Sequence, residues 1–218
     1  KRMEMELKRS RVKILTSSQV TQIRSNEGKL TATVAKGDKE DTYTVDTILI
    51  ATGRRPNTEG LGLKEAGIEF CQKSGIRVDR YLQTNLPGIY AIGDVTGNYL
   101  LAHVASAEGI TAVDHILGSG REINYDAVPS AVYTHPEAAA AGLTEEEAKK
   151  RGLEYKATKF MLGANSRAVT VGANRGFVKL ITTVPDNKII GAHIIGPNAS
   201  ELIHELVLAI TPKPLQKI

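Results

Sequence analysis

Two short apolar runs, each ended by a glycine, constrain this chain more than any other feature. The first, Thr47-Ile48-Leu49-Ile50-Ala51, closes on Thr52-Gly53-Arg54-Arg55-Pro56-Asn57. The second, Ile89-Tyr90-Ala91-Ile92, follows the turn dipeptide Pro87-Gly88 and closes on Gly93-Asp94. Runs this short are poor helices and good strands, and a continuous apolar run suits a strand buried on both faces of a parallel sheet. Open α/β sheets bind ligands at the carboxyl ends of their strands. A glycine there lets a ligand approach the backbone, and a carboxylate accepts hydrogen bonds from ligand hydroxyls. Gly93-Asp94 alone is an ordinary turn signal. Two such strand ends in tandem, with Gly53 and Gly93 forty residues apart, are far more specific.

The remaining pattern places these runs in a larger organisation. Met3 to Arg9 reads as the end of a helix. Val12–Leu15, Ser18–Ile23, Leu30–Val34 and Thr42–Val45 alternate as strands do, with turns at Asn26-Glu27-Gly28 and Lys36-Gly37-Asp38, which predicts an antiparallel meander. Leu61 to Ala66 reads as a short helix, Ile76-Arg77-Val78-Asp79 as a strand, and Leu101 to Leu117 as a helix ended by Gly118-Ser119-Gly120. The character shifts around Arg121 to Ala127, so a boundary is expected there, dividing residues 1–122 from 123–218. In the second part, Ser130–Tyr133 and Glu154–Met161 read as strands. Gly176–Val184 and Lys188–Ile195 read as an antiparallel pair about Pro185-Asp186-Asn187. Thr144 to Arg151 reads as a helix, with Thr144 and Glu147 at capping-box spacing. A last helix is expected from Ser200 to Ile210, with a face of Leu202, Leu206, Ala209 and Ile210, stopped by Pro212 and Pro214.

Composition narrows the function classes. The 218 residues suffice for one large or two small domains, and the formal charge is only +4. Lys8, Arg9, Arg11 and Lys13 cluster, but interleaved acids and few aromatics make a solvated face rather than a nucleic-acid site. No apolar run is long enough for a transmembrane helix. The charged start, Lys1-Arg2-Met3-Glu4-Met5-Glu6, is unlike a signal peptide, and a first residue other than Met suggests a fragment or processed chain. The single cysteine, Cys71, excludes an internal disulfide and a multi-cysteine metal site, and fits a reducing compartment, here the cytoplasm. It sits in a polar turn with no base nearby, as an incidental thiol does. No metal site is expected.

The pair of strand ends resembles the second half of the flavin signature in the pyridine nucleotide–disulfide oxidoreductases, and the likeness runs from about Val12 to Ile210. Tyr133-Thr134-His135-Pro136-Glu137, Gly176-Phe177-Val178-Lys179 and the stretch from Gly191 to Ile203 resemble that family's dimerisation domain. The sequence around Met161 to Ala168 favours the branch that oxidises dihydrolipoamide. The resemblance implies a mixed α/β and α+β fold, in which the end of a Rossmann-type nucleotide-binding domain with a β-meander is followed by an α+β dimerisation domain. Residues 1–122 would be the partial FAD/NAD(P)-binding domain and 123–218 a truncated dimerisation domain.

The same resemblance implies roles for particular residues. Gly53 matches the glycine closing the nicotinamide-nucleotide domain. Gly93 and Asp94 match the turn whose carboxylate binds the ribityl chain of FAD. Leu100, Leu101, Ala102 and His103 match the segment whose backbone lies along the flavin ring, where a helix start aims free N–H groups and a positive dipole end at the cofactor. His103 is expected to act through its backbone, and Arg54 and Arg55 as surface charges, with a contact from one of them to a nucleotide phosphate as the alternative. The implied cofactors are FAD and NAD. The implied partners are a second copy of the chain, in a homodimer, and the lipoyl-bearing acyltransferase or carrier protein of a 2-oxo acid dehydrogenase or glycine cleavage complex, with no nucleic acid and no membrane.

Other family features are missing from the sequence. One cysteine cannot form the family's redox-active pair, and no G-x-G-x-x-G follows a strand, since Gly60-Leu61-Gly62 lacks the third glycine. The family's C-terminal His-Pro acid/base with its Glu partner has no counterpart. His135-Pro136-Glu137 lies at the wrong end of the dimerisation domain, and His204 and Glu205 are helix neighbours that do not face each other. No catalytic residue is therefore assigned, and this chain alone is expected to lack turnover. The competing expectations are a sibling flavin disulfide reductase of glutathione or mercuric reductase type, and a non-catalytic dimerisation module.

Overall fold

The computed structural model describes residues 2–26, 28–120 and 122–211. Glu27 of the first expected turn, Arg121 at the expected boundary, and the tail from Pro212 to Ile218 with its two prolines lie outside the described residues. The chain forms two compact units, residues 1–53 and 54–218.

In the first unit, helix α1 (Arg2–Arg9) is followed by strands β1 (Gln19–Asn26), β2 (Lys29–Lys36) and β3 (Lys39–Val45). These form the expected antiparallel meander in the order β1-β2-β3. Both tight turns carry a glycine with positive φ, Gly28 and Gly37, as hairpin turns require. Val12–Leu15 forms no strand. The larger correction concerns Thr47–Ala51, which forms no strand either, with Leu49 88% and Ile50 73% exposed. A strand buried on both faces needs neighbours on both edges and layers above and below. Among the described residues no segment pairs with this run.

The second unit begins with a small hairpin, β4 (Phe70–Cys71) and β5 (Gly75–Ile76). Beside it Leu63, Ile76 and Ala91 form a minor core with Ile68, Phe70, Val78 and Val95. Two sequence expectations shrink here. Leu61–Ala66 forms a hydrogen-bonded turn rather than a helix, with the Ala66 N–H on the Gly62 carbonyl at 3.0 Å and the Ile68 N–H on the Leu63 carbonyl at 2.8 Å. Of Ile76–Asp79, only Ile76 lies in a strand. The Ile89–Ile92 run is also not a strand. It makes one antiparallel bridge, Gln83 to Tyr90, flanked by bonds from Thr84 N–H to Ile89 O and from Ala91 N–H to Leu82 O. Only Ala91 of the run is buried, because its partner is a local loop rather than a sheet.

Helix α2 (Ala102–Ile116) follows, close to its expected span. The rest of the unit is a five-stranded antiparallel sheet built from β6 (Ser130–Val132), β7 (Glu137–Gly142), β8 (Tyr155–Met161), β9 (Phe177–Thr183) and β10 (Ile189–Gly196), in the order β6-β7-β10-β9-β8. Helix α3 (Glu145–Lys150) carries the expected Thr144–Glu147 capping box, and α4 (Ser166–Thr170) is one short turn. Helix α5 (Ala199–Ile210) lies on β7 and β10. The main core joins Ala139 and Ala141 of β7 and Ala192 and Ile194 of β10 to Ala199, Ile203 and Ile210 of α5. Small side chains on the two central strands let the helix approach closely. The helix face differs from the expected one. Ala199, Ile203, Leu206, Val207 and Ile210 follow the i, i+4, i+7 pattern inward, while Leu202 and Ala209 are exposed.

Candidate functional site

Of the residues singled out by sequence, Gly53 ends the first unit, and the other six lie within one stretch of the second, residues 93–103. Gly53 has φ +101° with open space where a Cβ would stand, so its requirement is conformational. Gly93 combines φ +71° with crowding. A Cβ there would lie 3.1 Å from the Ala105 Cβ of α2, so any other residue would both strain the backbone and press on the helix.

Residues Gly93–Thr96 form a 3₁₀ turn, and the Thr96 hydroxyl closes it by donating to the Gly93 carbonyl at 2.9 Å. Asp94 stands half-exposed at its start. Its Oδ2 accepts from Arg54 Nη1 at 2.8 Å, across forty residues of chain, while Arg55 stays on the surface. This exposed pair contributes little to stability. It ties the Asp94 side chain to one position at the turn.

Leu101 is the N-cap residue of α2 and its side chain makes no cap bond. The first turn contains no acidic residue, and Ala102 and His103 are exposed. Helix starts leave N–H groups without intrahelical acceptors and carry partial positive charge. The His103 ring turns away to a structural contact, its Nε2 lying 3.1 Å from the Pro129 carbonyl, so only the backbone of this residue is offered at the helix start. Leu100 and Leu101 are half-buried.

Sequence reading missed what holds this stretch in place. Glu108, on the inner face of α2 with Val104, Thr111 and Ala112, is fully buried. Its Oε2 accepts from the Gly93 backbone N–H at 2.6 Å, and its Oε1 accepts from the Tyr125 hydroxyl at 2.8 Å. Burial, and then the bond to Glu108, push the Tyr125 hydroxyl well above the ordinary phenol value, so it remains a donor. The Tyr125 ring also stacks on Tyr99, with centroids 5.1 Å apart. The available signal was a glutamate one helical turn from Val104, on the apolar face of a helix that buries few other charges.

The stretch therefore offers an acceptor carboxylate and, at the helix start, a set of uncapped N–H donors. That donor set would suit a ligand with hydroxyls at one end and, at the other, a ring whose acceptor atoms gather negative charge on reduction, as in FAD. A separate concavity lies elsewhere. A cavity of about 530 Å³ is lined by Asn124, Asp126, Leu143, Arg151, Leu153 and the ends of β10 and α5, and it shares no residue with 93–103. Of its charged groups, Asp126 and Arg151 already satisfy each other through two bonds of 3.0 and 3.1 Å, and Lys188 pairs with Asp186.

Residues 1–109 match the family described as pyridine nucleotide-disulphide oxidoreductase, and residues 128–213 match the pyridine nucleotide-disulphide oxidoreductase dimerisation domain. The chain belongs to this family. Among its relatives, dihydrolipoyl dehydrogenase 1, mitochondrial, of Arabidopsis thaliana is 41% identical over 212 residues, covering 96% of this chain and 42% of that protein. The mitochondrial dihydrolipoyl dehydrogenase of Homo sapiens is 43% identical over 189 residues, covering 86% and 37%. Among solved structures, LpdA from Mycobacterium tuberculosis superposes with a TM-score of 0.87 at 30% identity, covering 96% of this chain and 45% of that one. The HOCl-induced flavoprotein disulfide reductase RclA from Escherichia coli gives 0.81 at 26%, covering 96% and 48%. The chain thus spans less than half the length of the relatives it matches. The mixed α/β and α+β fold agrees with this family. Among the described residues, no helix is long and apolar enough to cross a membrane, and no three His, Cys, Asp or Glu side chains gather as a metal site.

Proposed function

We propose that this chain is the flavin-facing and dimer-forming part of a dihydrolipoyl dehydrogenase. The observation that carries the reading is the 93–103 stretch, where a presented carboxylate precedes an uncapped, acid-free helix start. Asp94 would hold the ribityl hydroxyls of FAD, with Gly93 keeping the turn against α2. The backbone of Leu100, Leu101, Ala102 and His103 would lie along the ring, and Gly53 would let the chain pass close to the dinucleotide. The chemistry supplied when FAD is bound is transfer of two electrons from dihydrolipoamide, by way of a redox disulfide, to NAD⁺. This chain's residues bind and orient. None is assigned to the disulfide, which one cysteine cannot form.

The matches to residues 1–109 and 128–213 support a nucleotide-binding part over 1–122 and a dimerisation part over 123–218. The second copy of the chain is the nearest partner, and the lipoyl-bearing acyltransferase or carrier of a 2-oxo acid dehydrogenase or glycine cleavage complex the next. The single free thiol suits a reducing compartment such as the cytoplasm. A sibling disulfide reductase is the second reading, favoured by the likeness to RclA.

Titrating the purified protein with FAD, followed by quenching of flavin fluorescence, tests the site. Binding that Asp94→Ala weakens about tenfold supports it. No binding, or equal binding by Asp94→Ala, overturns it. NADH formation with dihydrolipoamide, compared with NAD(P)H-dependent reduction of glutathione disulfide, assigns the substrate when the protein is made as its gene encodes it. The 218-residue chain alone should show neither activity.

A further inference from the structure

The 93–103 stretch is fastened at three points to one short segment beyond α2, the run from Tyr125 to Pro129. At its start, Gly93 N–H donates to Glu108, whose other oxygen accepts from Tyr125. In its middle, Tyr99 stacks on the Tyr125 ring. At its end, the His103 ring reaches the Pro129 carbonyl. The segment is itself anchored to the sheet half of the unit. Asp126 holds Arg151, the C-cap of α3, through both oxygens, and Ser130 begins β6. Among the described residues Glu108 alone hydrogen-bonds both Tyr125 and Gly93, with each carboxylate oxygen committed to one partner.

We propose that Glu108 and Tyr125 are positioning residues for the flavin site, locking the Asp94 turn and the start of α2 to the first residues of the dimerisation part, so that FAD affinity depends on how that part is packed. This rests on the reading of 93–103 as a flavin-facing stretch. Neither residue need touch the cofactor. Each acts through the backbone it holds, Glu108 through Gly93 and Tyr125 through Glu108 and Tyr99. A carboxylate buried with both oxygens bonded fixes geometry strictly, because losing one partner leaves an unpaired polar group away from water. The hydroxyl of Tyr125, kept protonated by burial and by Glu108, is suited to a permanent donor role.

The test uses the protein as its gene encodes it, stripped of flavin and titrated with FAD. Glu108→Ala should weaken FAD binding by about tenfold or more, and Tyr125→Phe, which keeps the ring and its stack, by a smaller factor. Glu108→Gln, which retains an acceptor for Gly93, should recover most of the loss. Because Tyr125 reaches Gly93 only through Glu108, the double variant should bind FAD no worse than Glu108→Ala alone. The visible spectrum of bound flavin should shift in Tyr125→Phe, since the ring's donors at the start of α2 move. If Glu108→Ala does not fold, Tyr125→Phe and Glu108→Gln still decide the matter. Unchanged affinity and spectrum with only a lower melting temperature would reduce both residues to structural parts and overturn the proposal. Additive losses in the double variant would overturn the relay. Failure of the unmodified protein to bind FAD would instead overturn the flavin reading, and this inference with it.

Discussion

Glu137, the first residue of β7, caps helix α5 from a distance of 63 residues in sequence: its Oε2 accepts both the Ser200 backbone N–H at 3.0 Å and the Ser200 hydroxyl at 2.7 Å. The helix's own N-cap, Asn198, makes no side-chain cap bond, so the carboxylate from the sheet supplies it. This explains the His135-Pro136-Glu137 motif as architecture, since its glutamate is committed to a helix end.

The bonds from the Ser200 backbone and hydroxyl hold the Glu137 carboxyl below its ordinary value. A depressed folded-state value stabilises the fold above the unfolded value, about 4.3 for glutamate, and that contribution is lost as pH falls through the lower folded value. Glu137→Ala is expected to lower the urea midpoint at pH 7, and the difference from the unmodified protein should shrink below pH 4. A constant difference from pH 7 to pH 3 would show that the carboxylate's charge has no part in the cap.

The inward face of α5 makes a sharper prediction, because two adjacent residues should behave oppositely. Ile203 is 1% exposed within the alanine-rich core, whereas Leu202 is 46% exposed. Ile203→Ala should cost about 2–5 kcal/mol in equilibrium unfolding, through lost burial and the cavity left behind. Leu202→Ala should change stability by no more than about 0.5 kcal/mol. The reverse order would place the helix in the register that Leu202 and Ala209 suggested.

What could be read in the sequence depended on whether the cause was local. The meander was legible because strand period and the turn glycines Gly28 and Gly37 act within a few residues, and so was the capping box of Thr144 and Glu147. Strand β7 was not. Ala138–Ala141 has little strand preference of its own, and it becomes a strand because β6 and β10 pair with it on either side. Thr47–Ala51 and Ile89–Ile92 failed in the opposite way, with strand-like sequences whose pairing partners are absent among the described residues or reduced to one bridge. At the site, the Asp94 turn and the start of α2 could be named from their resemblance to a family. The Glu108–Tyr125 bond could not, since it is a contact across 17 residues that no local pattern encodes.

Cys71 differs from an ordinary surface thiol in a measurable way. It is exposed at the β4–β5 turn, where the Lys73 backbone N–H, followed by the Ser74 side chain and backbone, pulls its pKa down to about 7. The thiolate is the reactive form. Alkylation by iodoacetamide, followed by intact mass, should therefore rise with an inflection about pH 7 rather than near 8.5. Ser74→Ala should move the inflection upward. With one cysteine in the chain the signal has a single source. An inflection near 8.5 in the unmodified protein would show that the turn does not stabilise the thiolate.

His193, in the middle of β10, should shape the stability profile near neutrality. Burial, aided by the nearby Lys179, pushes its imidazole below the ordinary value, against the opposing pull of the Leu143 carbonyl, Glu145 and Glu147. Its Nε2 lies 3.2 Å from that carbonyl, and Lys179, which would repel an added proton, is itself paired with Glu145 at 2.8 Å. The folded state thus prefers neutral His193, whereas the unfolded chain takes up a proton near its ordinary value of about 6.5. The contribution is fully present above that value and is lost as pH falls through it toward the lower folded value. The unmodified protein should lose stability between about pH 7 and pH 5, and His193→Gln should flatten that part of the curve while the acid limb set by carboxylates such as Glu137 remains. Melting temperatures taken at half-unit pH intervals would show this. An identical slope in the variant would mean that the proton is taken up elsewhere.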